Sequence, residues 1–344
     1  MTGERGARRP GRVLTALLCA VTAAGLYGCS DSGPPEPSPV PTPPPATTSP
    51  AAPTSPPPAS TGRSPFTGLP ARPAPVLAVK LDNVPAARPH TGLGAADLVY
   101  VEQVEGGVTR LLAVYSSRLP ELTGPVRSAR ESDIALLGDF GRPVLAYSGA
   151  QSALNPLLRA APLDLVTETT APQAFRRSPA RAAPHNLYLR PARALATAPG
   201  ADDAPDIGFR FGPAPAGGTP VETSTVRFPA ARYTFTWSAA DRAWRVAMDG
   251  REARATDTGP LGPATVVVQR VTVRPSRFHD RFGSVSPYSE TVGSGTALVL
   301  RDGRAHEARW SRPTASSGTT FTTPAGAPMP FAPGQVWVVL APRA

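Results

Sequence analysis

The chain has 344 residues and a formal net charge of +10 at pH 7, with 45 prolines and only two cysteines. This length is more than one compact domain needs. The basic residues are arginines dispersed along the chain, with Lys80 as the only lysine, and this dispersal argues against a nucleic-acid partner. On an exported protein, such a surface would instead meet anionic lipid, teichoic-type phosphates or wall-peptide carboxylates.

Residues 1–28 predict a lipoprotein signal peptide. A basic start precedes an apolar run from Val13 to Leu26, and its length of about 14 residues is below the roughly 20 that a membrane-spanning helix needs. The stretch from Leu26 to Cys29 has the shape of a bacterial lipobox, so Cys29 is the predicted lipidation site, with palmitate as the expected acyl group. The alternative is an ordinary cleaved signal followed by a stray cysteine.

Residues 29–61 predict a disordered tether, because Ser30–Ser60 is dense in proline and has almost no apolar bulk beyond alanine. As polyproline II, this segment would extend on the order of 90 Å from its anchor. Cys19 leaves with the signal peptide, and a lipidated Cys29 would leave no thiol for a disulfide, a metal or a nucleophile. We therefore expect an exported protein on the outer face of the cell membrane, anchored by an N-terminal lipid.

Strand and helix patterns alternate over residues 62–205, which predicts a mixed α/β domain. The paired glycines Gly106 and Gly107 between two apolar runs indicate a hairpin. The predicted elements in chain order are a strand over 76–83, the hairpin over 96–117, a helix beginning at Ser128, a strand over 143–149, a helix over 150–160, a strand over 163–169 and a helix after Pro191.

Residues 206–218 are rich in Gly, Pro and Ala and predict a linker, and residues 219–344 predict a second, mostly β domain. Its predicted elements are a hairpin over 233–250, a buried strand over 264–273, a hairpin over 295–310 that turns at Asp302 and Gly303, and a last strand over 334–342. The expected fold class is α+β, with the mixed α/β domain followed by the smaller, mostly β domain.

Several blocks of sequence resemble the YerB-like lipoprotein family. ADLVYVEQVEGGVTRLLAVY, GPVRSARESD, YSG and APHNLY are similar to its N-terminal domain, while ETVGSGTALVLRDGRAHEARWSRP and APGQVWVVLAP are similar to its C-terminal domain. The family pattern carries two adjacent acids after the tyrosine, whereas here Val101 replaces the first and Glu102 keeps the second. The resemblance implies two domains, export and a lipid anchor, and it implies no established reaction.

The stretch from Gly124 to Asp133 combines a predicted helix start with two arginines. Ser128 and Glu131 have the spacing of a capping box. Arg127 and Arg130 flank that helix start, where guanidinium groups favour a carboxylate or a phosphate. The alternative is that both arginines pair with acids of the same domain, namely Asp133, Glu102 or Glu105.

A two-residue turn at Gly106 and Gly107 would place Gln103 opposite Arg110 and would leave Arg110 diagonal to Glu105. We therefore expect a structural pair between Arg110 and Glu105. Glu102 would point to the other face, where apolar surroundings could raise its pKa for general-acid chemistry. Its alternative role is that of a buried acid bonded to Arg127 or Arg130.

His185, in the sequence Pro-His-Asn, is a second candidate acid or base. A triad of Ser148, His185 and Asp133 can be written, but no G-x-S-x-G motif surrounds the serine, and the alternative is that His185 and Asn186 tie a loop to backbone groups. The sequence contains neither a cluster with metal-ligand spacing nor a nucleotide-binding glycine loop. We expect no metal and no cofactor.

These features favour an envelope protein that binds or scaffolds peptidoglycan or a cell-wall enzyme. The predicted polar cleft would be lined by Glu102, Arg127, Arg130, Ser148 and His185. One alternative is a hydrolase or lyase of wall glycan or peptide that uses Glu102 or His185 as acid or base. Another is a purely structural role, in which the β domain docks onto a membrane or a secreted partner.

Overall fold

The computed structural model describes residues 62–280 and 282–343. The predicted signal peptide, the lipidation site Cys29 and the tether lie outside these residues. None of the helices in the described part of the chain has the length and apolar character needed to cross a bilayer.

The N-terminal region, up to residue 205, contains nine strands and three short helices within the described residues. The strands are β1 (Gly62–Arg63), β2 (Pro70–Ala71), β3 (Leu77–Leu81), β4 (Leu98–Gln103), β5 (Thr109–Tyr115), β6 (Val144–Ala146), β7 (Asp164–Val166), β8 (Phe175–Arg177) and β9 (Leu187–Leu189). The helices are α1 (Glu131–Leu136), α2 (Asn155–Ala160) and α3 (Pro191–Leu195). Single 3-10 turns lie at Pro85–Ala87, Leu93–Ala95, Glu105–Gly107, Ser152–Leu154 and Pro172–Ala174.

The C-terminal region is built from strands, and no helix occurs among its described residues. They are β10 (Thr219–Pro220), β11 (Thr223–Phe228), β12 (Ala231–Ser238), β13 (Ala243–Met248), β14 (Arg251–Glu252), β15 (Arg254–Ala255), β16 (Gly259–Pro260), β17 (Thr265–Val271), β18 (Val273–His279), β19 (Val285–Ser289), β20 (Gly293–Arg301), β21 (Arg304–Arg312), β22 (Thr320–Thr322) and β23 (Val336–Pro342).

The two regions contribute strands to one sheet of eleven strands in the described chain. Its order is β10-β21-β20-β17-β23-β4-β5-β3-β6-β7, and β22 pairs with β21 beside that path. The last strand, β23, lies between β17 and β4 and is parallel to both. Strands of the C-terminal region therefore continue the sheet of the N-terminal region directly.

Each face of this sheet carries its own hydrophobic core. On one face, Val99, Val101 and Trp337 pack against aromatic side chains of the smaller sheet β11-β12-β13-β14, among them Tyr233 and Phe235. On the other face, the core is completed by α1, α2 and the aromatic loops around residues 209 and 331. The burial of alternate strand residues on two faces explains why the apolar runs located these strands in the sequence.

The fold is mostly β, with few helices. The helices of the N-terminal region have six, six and five residues, so the mixed α/β character expected there is not confirmed. The helical spacing after Asp133 ends at Leu136, because the next residues turn back at Gly138 and Gly141, the latter with φ +70°. Sequence periodicity predicted the type of these elements but overestimated their length.

Candidate functional site

The arginine-rich stretch pairs with the carboxyl end of β3, beyond the last residue of β3 that pairs with β6. Val126 forms a bridge with Leu81, and the Arg127 amide donates to the Lys80 carbonyl at 2.8 Å. The Ser148 amide in turn donates to the Arg127 carbonyl at 3.0 Å. The stretch is therefore held as extended backbone at the carboxyl end of β3, with its side chains beside the end of the sheet.

The predicted capping box from Ser128 to Glu131 is wrong by two residues. The N-cap is Arg130, whose backbone is extended (φ −129°, ψ 164°), and its amide donates to Asp133 Oδ2 at 2.7 Å. The residues before it remain extended because the Ala129 amide donates to the Gly149 carbonyl at 3.0 Å. A six-residue helix has too short a dipole to attract an anion by itself, so the arginine side chains must carry any such role.

The β4–β5 hairpin has a different register from the expected one. Residues 105–107 form a 3-10 turn closed by the Val104 amide donating to the Val108 carbonyl at 2.9 Å, so Glu102 lies opposite Arg110. The loop thus contains three residues instead of two. Glu102 and Arg110 therefore share one face of the sheet, and the prediction that Glu102 points to the other face is wrong.

The expected pair between Glu105 and Arg110 does not form. Glu105 accepts two hydrogen bonds from Arg130, from Nε and Nη2, both at 2.7 Å. Although burial raises the pKa of Glu105, the hydrogen bonds and charge of Arg130 lower it overall. Arg110 donates from Nη1 to the Ser128 carbonyl at 2.7 Å. The alternative prediction, in which Arg130 pairs with an acid of its own region, describes this contact.

Glu102 is buried below the cleft and does not line it. It is 1% exposed and contacts Lys80 Nζ, which also lies 2.7 Å from Asp133 Oδ1. Burial lowers the pKa of Lys80 to about 8 although Asp133 acts in the opposite direction. The acid therefore belongs to a buried cluster of Lys80, Glu102 and Asp133, and its partner is the lysine instead of Arg127 or Arg130.

A polar cleft of about 710 Å³ opens above this buried cluster. Its volume falls within the range of ligand sites in proteins. Of the residues predicted from the sequence, some lie along the cleft: Arg110, Arg127, Ser128, Arg130, Glu105 and His185. Others are not among the lining residues: Glu102, Asp133, Ser148 and Asn186.

Arg110 lines the cleft and forms no ion pair among the described residues. Its side chain is 8% exposed, and its hydrogen bond goes to a carbonyl rather than to a carboxylate. Burial, together with the nearby charges of Arg130 and Arg127, lowers the pKa of Arg110 to about 9, although Glu105 and Asp82 act in the opposite direction. A guanidinium that is desolvated beside two like charges is stabilised by any anion that reaches it.

Asp82, which the sequence analysis missed, joins Arg127 to His185. Its Oδ2 lies 2.8 Å from His185 Nδ1 and 3.1 Å from Arg127 Nε. The Arg127 contact is an ion pair without hydrogen-bond geometry, and this nitrogen is buried. Asp82 directly follows β3, and a polar residue at the end of a buried strand is the signal that could have identified it.

The triad of Ser148, His185 and Asp133 is wrong. Asp133 is buried and forms an ion pair with Lys80, whereas His185 contacts Asp82. The proposed acid and base of the triad therefore belong to different clusters. Asn186 lies apart from the cleft, where its Oδ1 accepts a hydrogen bond from Arg177 Nη1 at 3.0 Å. Within the described residues, no group of three or more His, Cys, Asp or Glu side chains has the geometry of a metal site.

The hairpin β18–β19 forms the other wall of the cleft and was not predicted. Ser276 Oγ donates to Glu131 Oε2 at 2.5 Å, and Ser286 Oγ contacts Glu105 Oε1. At its tip, Asp280 Oδ1 accepts the amides of Phe282 and Ser284 at 2.8 and 2.9 Å. The cleft is therefore built from both regions of the chain. The sequence signal was the turn Asp-Arg-Phe-Gly between two short alternating runs.

Comparisons with known proteins identify the family. The sequence matches the family described as "Protein of unknown function (DUF3048) N-terminal domain" over residues 61–204 and its C-terminal domain over residues 224–338. It is 34% identical over 134 residues to "Putative lipoprotein YerB" of Bacillus subtilis (strain 168), a match that covers 37% of this chain and 39% of that protein.

The fold is similar to the crystal structure of the YerB protein from Bacillus subtilis, with a TM-score of 0.69 at 22% identity. That likeness covers 82% of this chain and 97% of the other. The two matched regions include every residue that lines the cleft, and the resemblance expected from the sequence blocks is confirmed. The chain belongs to the DUF3048 family of proteins of unknown function.

Proposed function

We propose that this protein is a lipid-anchored protein of the outer face of the cell membrane. In this proposal, it binds an anionic group of peptidoglycan or of a cell-wall enzyme in the arginine cleft. The signal peptide, Cys29 and the proline-rich tether support the location, as does the lipoprotein name of a relative. A tether on the order of 90 Å would let the cleft reach material away from the membrane surface.

The observation that carries the proposal is the state of Arg110. Its guanidinium is 8% exposed, has no carboxylate partner among the described residues and lines an open cleft. Holding a charge in this state is unfavourable for folding alone. A carboxylate or phosphate would supply the missing charge and accept two parallel N–H bonds.

Arg127 supports the same proposal. Its Nε is buried and makes no hydrogen bond in the described structure, while the side chain as a whole is 28% exposed. Asp82 contacts both this arginine and His185, so Arg127 does not have the carboxylate to itself. A ligand anion placed between Arg110 and Arg127 would therefore be attracted by two guanidinium groups.

The alternative function is cleavage of wall glycan or peptide by a hydrolase or lyase reaction. Glu102 is unsuitable as its acid, because it is 1% exposed and contacts Lys80. The observation that favours the alternative is the Asp82–His185 pair at 2.8 Å on the cleft wall, since an aspartate that orients an imidazole is a common acid–base arrangement.

Co-sedimentation with isolated peptidoglycan tests the proposal, with the full chain extracted in mild detergent. We expect sedimentation of the wild type and a loss of about 10-fold or more in apparent affinity for Arg110→Met, because a charge-assisted bidentate contact is removed. Arg142→Met is the matched control, since Arg142 is 58% exposed, pairs with Asp164 and lies outside the cleft.

The soluble fraction of the same experiment tests the alternative by mass spectrometry. Wall fragments that disappear with His185→Ala but persist with Arg142→Met would establish that the protein cleaves wall material and does not only bind it. If Arg110→Met sediments as well as the wild type, the arginine cleft is not the binding site. If neither sedimentation nor fragments occur, the proposed function is wrong.

A further inference from the structure

The cleft contains carboxylates, as well as one arginine, that form no ion pair among the described residues. Four carboxylates line it, from Asp82, Glu105, Glu131 and Asp280. Asp82 and Glu105 are engaged by basic side chains. Glu131 accepts from the Ser276 hydroxyl and Asp280 from backbone amides, and neither has an ion-pair partner among the described residues. Two carboxylates are therefore available to a cation.

The available charges of opposite sign come from different parts of the fold. Arg110 is on β5 of the large sheet, whereas Asp280 is at the tip of the hairpin β18–β19. Glu131 begins α1 and is bonded to that hairpin through Ser276. The cleft is therefore bipolar, with a free guanidinium toward the sheet and free carboxylates toward the hairpin.

A phosphate dianion does not match this distribution. The lining side chains include three arginines and four carboxylates. A dianion at Arg110 would be repelled by the two unpaired carboxylates, whereas a ligand with one carboxylate and one ammonium group would be attracted at both ends. A volume of about 710 Å³ accommodates a short peptide.

We propose that the cleft binds a zwitterionic peptide, with the peptide carboxylate at Arg110 and Arg127 and its ammonium group at Glu131 and Asp280. This inference rests on the proposed function, because wall peptides supply both groups. It also assigns a role to the C-terminal region, whose hairpin delivers one of the two acids. Binding then needs both matched regions of the chain, since neither region contains the complete set of charges.

Titration calorimetry on the full chain in detergent tests the inference with three forms of one tripeptide. The forms are Lys-D-Ala-D-Ala with free amines, the same peptide with both amines acetylated, and the same peptide with an amidated carboxyl end. We expect the free peptide to bind and each blocked form to bind about 10-fold or more weakly, because each loses one charge-assisted contact.

A substitution of Glu131, one of the two proposed ammonium-binding acids, provides a second test. Glu131→Gln should weaken the free peptide about 10-fold and leave the acetylated peptide unchanged, because only the former carries the ammonium group. Glu290→Gln is the matched control, since Glu290 follows β19 and pairs with Arg274, outside the cleft. An effect of Glu131→Gln on both peptides alike would indicate a damaged cleft and would overturn the assignment of the ammonium site.

The outcomes separate this inference from the proposed function. If the acetylated peptide binds as tightly as the free one while the amidated peptide does not, the cleft recognises an anion alone and the zwitterion proposal is wrong. If no peptide binds but peptidoglycan still sediments in an Arg110-dependent manner, the zwitterion proposal again fails and the proposed function stands. Failure of both experiments overturns both.

Discussion

Lys80 Nζ lies 2.7 Å from Asp133 Oδ1, although the two residues are 53 positions apart, and both side chains are fully buried. This bond fixes α1 to the central part of the sheet directly below the cleft. Because Glu102 contacts the same ammonium group, one lysine compensates two carboxylates. It is also the only lysine in the sequence.

Lys80→Met should therefore destabilise the protein strongly. The substitution leaves Glu102 and Asp133 buried without a cation, and breaking a buried ion pair on one side costs about 3–5 kcal/mol. The free energy of unfolding from urea titration, followed by tryptophan fluorescence, measures the loss. The triple variant with Glu102→Gln and Asp133→Asn should recover most of it, and a loss below about 1 kcal/mol for Lys80→Met would contradict the account.

Arg110→Met should separate stability from binding. Because the guanidinium is buried near Arg127 and Arg130, an apolar side chain of similar length should leave the free energy of unfolding unchanged or raise it by about 1 kcal/mol. Peptidoglycan binding should be lost in the same variant. Urea titration and co-sedimentation, both measured on one preparation, show whether the substitution affects stability, binding or both. A clear destabilisation would mean that Arg110 serves the fold rather than a ligand.

The stability of the protein should depend on pH through Asp139. Burial raises the pKa of Asp139 from 3.8 to about 7, although Arg312 Nη2, 3.0 Å from its Oδ1, acts in the opposite direction. An acid whose pKa is higher in the folded than in the unfolded state contributes stability that is fully present below pH 3.8 and is lost as the pH rises to about 7.

Asp139→Asn should remove this part of the pH dependence. Between about pH 4 and pH 7, the free energy of unfolding of the wild type should fall relative to the variant, by on the order of 4 kcal/mol at most. Urea titrations at several pH values measure the difference. Glu252→Gln, at a side chain that is 51% exposed, serves as control. Parallel curves for the wild type and Asp139→Asn would disprove the assignment.

The two glycines of the β4–β5 turn should respond differently to alanine. Both have positive φ, +68° at Gly106 and +72° at Gly107, so each substitution carries backbone strain of about 1 kcal/mol. A Cβ at Gly106 meets nothing within 4 Å, whereas one at Gly107 would lie 2.6 Å from Pro229 Cβ.

We therefore expect Gly107→Ala to cost about 2 kcal/mol more than Gly106→Ala, because the contact with Pro229 must also be displaced. Thermal unfolding of the two variants side by side gives the comparison, and each serves as the control of the other. Equal losses would mean that the turn moves away from Pro229 without cost.

The sequence located most strands but could not set the hairpin register. Apolar runs identify β4, β5 and β17 because their side chains are buried on the two faces of the sheet. The register depends on whether the turn contains two or three residues, and the pair Gly106-Gly107 is compatible with both. That single residue decides whether Arg110 lies opposite Gln103 or Glu102, and hence on which face Glu102 points.

The site was harder to predict because its charges meet through tertiary structure. Arg127 and Arg130 attracted attention as an unusual local pattern, whereas Asp82 and Lys80 appear in the sequence as ordinary members of a strand and its end. Their roles follow from the bridge between Val126 and Leu81, which no local pattern encodes. The hairpin β18–β19 was missed since its strands carry few large apolar side chains and each contains a proline.

The central place of β23 has a consequence for folding. The strand that fills the middle of the sheet follows every other described strand in the sequence. Until Val336–Pro342 is in place, β4 and β17 each present an open hydrogen-bonding edge to other chains. A chain that lacks Val336–Pro342 would therefore be prone to aggregation, because two strand edges remain open in the middle of its sheet.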